Sequence, residues 1–135
     1  YGDGYINANF ATQYRVFSPD GTDALFPTRL GELFFAAQHQ GKVSADLPRI
    51  DVRIPPAAEG DGLADNPYRL RLLSLVGVKY VTDWEKIPAS SEERGKKFPP
   101  NLFTHIKQLD NWHIYEYRDA LPRAFLTDRF SACGK

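Results

Sequence analysis

The sequence predicts an α+β domain: two principal helices packed on a mixed or antiparallel sheet, with strands concentrated in the C-terminal half. Three observations predict it. The chain has 135 residues, of which 42% are hydrophobic and 13% aromatic, enough for a single core in one domain. Two early segments place apolar residues at helical spacing. After residue 78 the chain turns to β-branched and aromatic residues in short alternating runs, the mark of strands.

Taken in order, residues 14–17 (Tyr-Arg-Val-Phe) alternate and read as a short strand ended by Ser18-Pro19-Asp20-Gly21. Leu30, Leu33, Phe34 and Ala37 fall at i, i+3, i+4 and i+7, which predicts a helix over 28–40 with Gly41 as its stop. Ile50, Val52 and Ile54 alternate with Arg49, Asp51 and Arg53, a half-buried strand closed by Pro55-Pro56. Residues 57–65 are small, acidic and glycine-rich and read as an exposed loop.

Asn66-Pro67 is the sharpest local signal, an N-cap followed by proline at the first helical position. It predicts a helix over 67–76 with Leu70, Leu73 and Val76 inward and Arg69 and Arg71 outward. Gly77 closes that helix, and 78–82 follow as a strand. The polar stretch 84–100, flanked by prolines, reads as a charged excursion loop. Residues 102–109 and 112–117 predict a hairpin across Asp110-Asn111. A regular two-residue loop then pairs Leu109 with Trp112, Ile106 with Tyr115 and Thr104 with Tyr117, and puts Ile106, Tyr115 and Tyr117 in the core. A final strand is expected over 123–130.

Seventeen basic residues balance seventeen acidic ones, so the net charge gives no electrostatic reason to expect a nucleic acid or an anionic membrane surface as partner, since both demand a basic face. No apolar stretch reaches the roughly 20 residues that cross a bilayer. The chain contains no methionine, not even at its start, which predicts a piece of a longer protein. The single cysteine, Cys133, excludes an internal disulfide and a cysteine-rich metal site.

Candidate chemistry is sparse. In the regular hairpin register His105 faces Glu116 and His113 faces Gln108, on opposite faces, so the two imidazoles do not converge on a metal. His39 sits at a helix end, where a cation is mildly favoured. Cys133, near the end of the sequence, has no base beside it to form a thiolate. Gly2-Asp3-Gly4 and Gly60-Asp61-Gly62 lack the ending of a phosphate loop, and Asp61 and Asp65 lack the ligand density of a calcium loop. One polar group remains: Asp23, Arg29 and Glu32 surround the start of the first helix, where an anion or a sugar hydroxyl can be held. No catalytic residue, cofactor or metal site is expected.

Three blocks carry a resemblance. Residues 14–17 with 21–33 (Gly-Thr-Asp-Ala-Leu-Phe-Pro-Thr-Arg-Leu-Gly-Glu-Leu), 72–81 (Leu-Leu-Ser-Leu-Val-Gly-Val-Lys-Tyr-Val) and 114–125 (Ile-Tyr-Glu-Tyr-Arg-Asp-Ala-Leu-Pro-Arg-Ala-Phe) resemble, in the same order, segments of the YfhO-like bacterial membrane proteins. Tyr117-Arg118-Asp119 departs from the Asn-Pro or Asn-Asn usual after the Tyr-Glu pair, a change of turn. The resemblance implies an extracytoplasmic C-terminal domain of a many-helix membrane protein of the glycosyltransferase-C type, whose donors are polyprenyl-phosphate sugars. The catalytic acid of such enzymes is expected on a membrane-proximal loop elsewhere, so none is carried over. The implied partners are the membrane-embedded remainder of the parent chain and a glycan or lipid-linked sugar.

Two other readings stand beside it. Eighteen aromatic residues suit an independent secreted carbohydrate- or peptide-binding module, because flat rings stack on sugar faces. A small hydrolase ranks last, for want of a nucleophile near His105 or His113.

Overall fold

In the computed structural model, the described residues are 13–16, 27–42, 63–85, 87–122, 124, 126 and 127. The fold is α+β: helices α1 (Thr28–Gln38), α2 (Pro67–Leu75) and α3 (Ser91–Lys97), and strands β1 (Tyr80–Trp84), β2 (Phe103–Leu109) and β3 (Trp112–Tyr117). The strands form one antiparallel sheet in the order β1-β3-β2. A single 3-10 turn, Leu63–Asp65, leads into α2.

Each helix ends where its backbone groups find partners. The Asn66 carboxamide oxygen accepts from the N–H groups of Tyr68 and Arg69, satisfying two donors that the first turn leaves without helical acceptors. At the other end of α2 the Gly77 N–H donates to Ser74 O and the Val78 N–H to Leu73 O, with Gly77 at φ 66°. That is the paired-bond cap in which a left-handed residue turns the chain out of the helix. It draws Val78 onto Leu73, both buried, and so the strand begins at Tyr80 rather than 78. After α1 two residues in succession are left-handed, Gln40 at φ 53° and the expected stop Gly41 at φ 86°, and Gly41 N–H donates to Ala36 O. The helix therefore stops just short of its expected end.

The core gathers Leu63, Leu73, Val78, Val81, Phe98, Phe103, Tyr115 and Tyr117, with Leu70, Leu102 and Ala120 packed against it. Phe98 stacks on Tyr115 with ring centroids 4.1 Å apart, and Phe103 on Tyr117 at 5.1 Å. Helix α1 lies outside this group. Among the described elements it touches only α2, burying Gly31, Phe34 and Ala37. Leu30 and Leu33, expected in the same stripe, remain 38% and 44% exposed, because one neighbouring helix covers only a narrow strip. The Asn66 carboxamide N–H donates to Ala37 O at 2.8 Å and ties the two helices together.

Four expectations are corrected. Of the expected stripe of α2, Leu73 is buried and Leu70 packs on the core, but Val76 is 37% exposed and the fully covered set is Arg69, Leu72 and Leu73, so Arg69 is buried rather than on the wet face. Residues 84–100 are not a loop throughout, because they contain α3. Its signal is a reciprocal cap: Glu93 N–H donates to Ser90 Oγ, and Ser90 N–H to Glu93 Oε2. Tyr14 and Arg15 form a turn, not a strand; Arg15 at φ 54° breaks an extended run.

The fourth concerns the hairpin. Leu109, Gln108 and Lys107 pair with Trp112, His113 and Ile114 as a regular register demands, but His105 then faces Tyr115 and Phe103 faces Tyr117. Ile106 is an extra residue, a β-bulge, and is 49% exposed instead of in the core. The expected strand over 49–54 lies outside the described residues, as does most of the one over 123–130; Ala124, Leu126 and Thr127 are not in a strand.

Candidate functional site

The bulge at Ile106 changes which side chains meet. Side chains alternate faces along a strand, so one inserted residue moves every later residue across the sheet. Phe103 and His105 thereby join Val81, Asp83, His113, Tyr115 and Tyr117 on the inner face. His105 Nε2 lies 3.2 Å from His113 Nδ1, and the His105 ring also sits 5.0 Å from that of Tyr115, centroid to centroid. The two histidines expected on opposite faces are in contact.

Around them the end of β1 and helix α3 supply four charged groups. Glu85 follows β1, and its backbone N–H donates to Asn111 O in the hairpin turn. Arg94 holds the Glu85 carboxylate with two bonds, Nε to Oε1 and Nη2 to Oε2, each 2.8 Å, the forked pairing that guanidinium geometry suits. The Ala89 N–H also donates to Glu85 Oε2 at 3.0 Å. Lys97 Nζ donates to Asp83 Oδ1 at 2.7 Å. Asp83 is paired across the strands with His113, and both are almost wholly buried.

These contacts set the protonation states. The hydrogen bonds from Arg94 hold the Glu85 carboxyl down at about 2, against the opposing effect of burial. Burial pushes the His113 imidazole below its ordinary value, outweighing the attraction of Glu85. Burial likewise raises the Tyr115 phenol to about 12. At neutral pH, His113 is therefore a neutral imidazole beside an ionised carboxylate, with its Nε2 3.6 Å from Glu85 Oε2. A lone pair aimed at a carboxylate is repelled, so the proton belongs on Nε2, facing Glu85. His113 Nδ1 is left as an acceptor, and His105 Nε2–H donates to it.

The arrangement is thus a line from solvent inward: exposed His105, buried His113, buried Glu85 and its Arg94 clamp. It contains acceptors, a shielded imidazole and neutralised ion pairs. Among the described residues no group of three or more His, Cys, Asp or Glu is placed to hold a metal ion.

The other sequence candidates lie elsewhere. Arg29 is exposed and Glu32 half-buried on α1, which touches neither the sheet nor α3; Asp23 lies outside the described residues. His39 caps the last turn of α1 with its ring against Phe35, centroids 4.1 Å apart. Asp65 is exposed, while Asp61 and Cys133 fall outside the described residues. Sequence reasoning missed Asp83, Glu85, Arg94 and Lys97. Two signals were present: an acid at an inward position of a strand, two residues after Val81, and the Ser90-x-x-Glu93 spacing of a capped helix.

The fold and the site together define a small α+β domain with a buried polar cluster at one end of its sheet. No family model, no curated protein and no solved structure matches the chain. No helix among the described residues is long and apolar enough to cross a membrane.

Proposed function

We propose that the chain is a non-catalytic extracytoplasmic domain of a bacterial membrane protein of the YfhO-like, glycosyltransferase-C type. In this reading it caps the membrane-embedded part of its parent and assists binding of the acceptor or the lipid-linked sugar. The parent is then a polyprenyl-phosphate-sugar-dependent glycosyltransferase.

The observation that carries the reading is how two of the resembling blocks fit together. Residues 72–81 and 114–125 are far apart in sequence, yet they bond to each other directly. Ser74 Oγ meets Tyr117 Oη at 3.0 Å, and the N–H groups of Leu121 and Tyr117 donate to Ser74 O and Lys79 O. Tyr80 and Val81 pair with Glu116 and Tyr115 along β1 and β3. Blocks that interlock make a framework, which supports treating these two as parts of one ordered motif rather than two chance likenesses. The cluster of Asp83, Glu85, Arg94, Lys97, His105 and His113 lies outside the blocks.

The test starts with the natural reading frame. Ten or so apolar segments of roughly 20 residues upstream, with an acidic residue in an early outer loop, are expected. Sugar transfer by the full-length protein should then weaken when this domain is removed. A frame without membrane spans defeats the proposal.

One observation favours the second reading, a carbohydrate-binding module. Trp84 and Trp112 are directly paired across β1 and β3. Trp84 and Tyr80 are 43% and 51% exposed on the outer face of the sheet, as a stacking surface for a sugar requires. Quenching of tryptophan fluorescence by glycans, lost in Trp84→Ala, is its expected signature.

A further inference from the structure

We propose that His105 Nε2 and His113 Nδ1 together bind one first-row transition ion of the zinc class at the solvent edge of the polar cluster, with water completing its coordination.

The geometry argues it in three steps. Two nitrogens each about 2.1 Å from one ion in tetrahedral or octahedral arrangement lie about 3.0–3.4 Å apart, and these nitrogens are 3.2 Å apart. Little backbone movement is needed: the ion sits to one side of the N···N line, and small rotations of the two rings aim their lone pairs at it. The His105 proton moves through solvent to its Nδ1, so both ligand nitrogens present lone pairs to the ion.

The surroundings prepare His113 for this role. Its far nitrogen lies 3.6 Å from Glu85 Oε2, beyond hydrogen-bond length but near enough for the carboxylate charge to favour positive charge arriving on the ring. Glu85 is held in turn by Arg94 and the Ala89 N–H. Among the described residues, the cations nearest the site are matched, Lys97 with Asp83 and Arg94 with Glu85, which limits their repulsion of an incoming ion.

The two rings divide the work. His113 is 2% exposed and fixed, whereas His105 is exposed and leaves coordination positions open to water or to a donor group from a ligand. Two imidazoles select zinc, nickel or copper over magnesium and calcium, which prefer oxygen. With two protein ligands the site is weaker than a closed structural site, which takes four. This inference stands independently of the proposed function.

Titration of the folded chain with zinc chloride, after treatment with a chelator, tests it. The expected result is saturable binding of one ion per chain with a rise in melting temperature, and no comparable response to magnesium or calcium. His105→Ala, a change at an exposed side chain that leaves the core intact, should weaken binding by at least about tenfold and abolish the thermal shift. His39→Ala and Cys133→Ser should change neither. Binding that survives His105→Ala, or that vanishes in Cys133→Ser, overturns the proposal, as does the lack of saturable zinc binding.

Discussion

His105 meets His113 at 3.2 Å because Ile106 is an unpaired residue between two regular halves of the hairpin. The bulge is what places a solvent-facing imidazole on the same face as a buried one.

Deletion of Ile106 tests that register directly. Removing the extra residue joins the two halves into one regular ladder, with Phe103, His105 and Lys107 still opposite Tyr117, Tyr115 and Ile114. The shortened chain should stay folded, with the His105–His113 contact visible as a nuclear Overhauser effect between the rings. Were Ile106 instead paired with Tyr115, deletion would send Phe103 and His105 to the opposite face and melt the domain.

Two ion pairs of similar length should differ greatly in worth. Arg94 grips a Glu85 side chain only 7% exposed, whereas Lys96 and Glu92 are 74% and 79% exposed. Arg94→Ala leaves a buried carboxylate without its cation and should cost about 3 kcal/mol. Lys96→Ala should cost about 0.5 kcal/mol or less. Urea denaturation of the two variants makes the comparison, and equal losses would contradict the clamp.

The same clamp gives an acid dependence. Glu85 titrates at about 2 in the folded chain against an ordinary value of 4.5. The unfolded chain therefore binds the proton first. The stabilisation is present in full above pH 4.5 and is lost as pH falls toward 2, by at most about 3 kcal/mol. His113, depressed by burial, adds a loss in the same direction that begins as pH falls through its unfolded value, about 6.5. Denaturant melts of the metal-free chain between pH 7 and pH 3, in wild type and Glu85→Gln, separate the two: the steeper loss below pH 4.5 should disappear from the variant.

Asn66 performs two jobs that substitution can separate. Its oxygen caps α2 and its N–H group reaches Ala37 O in α1. Asn66→Asp keeps the cap but sets a carboxylate oxygen against a carbonyl, so α1 should detach while α2 persists. Hydrogen exchange would show protection lost across residues 28–38 and retained across 67–75. Asn66→Ala removes both functions and should cost about 2 kcal/mol overall.

The readable part of this protein is the part governed by near neighbours along the chain. Asn66-Pro67 and Gly77 bound α2 because capping is settled within a few residues, and the runs flanking Asp110-Asn111 make a hairpin for the same reason. Helix α3 was also written locally, in Ser90 and Glu93, although the surrounding charges and prolines resemble a loop.

What only the tertiary structure decided is which way each element faces. The helical spacing of Leu70, Leu73 and Val76 named two residues that do pack inward, Leu70 and Leu73, but packing left Val76 partly exposed and turned the centre of the buried strip toward Leu72, burying Arg69 as well. Regular pairing and a bulge at Ile106 are equally compatible with the local sequence of the hairpin. Burying Phe103 on Tyr117 rather than Thr104 decides between them, because apolar area removed from water outweighs one interrupted ladder position. The histidine pair follows from that choice. Its two members belong to different strands, and the residue that brings them together touches neither chemistry nor core.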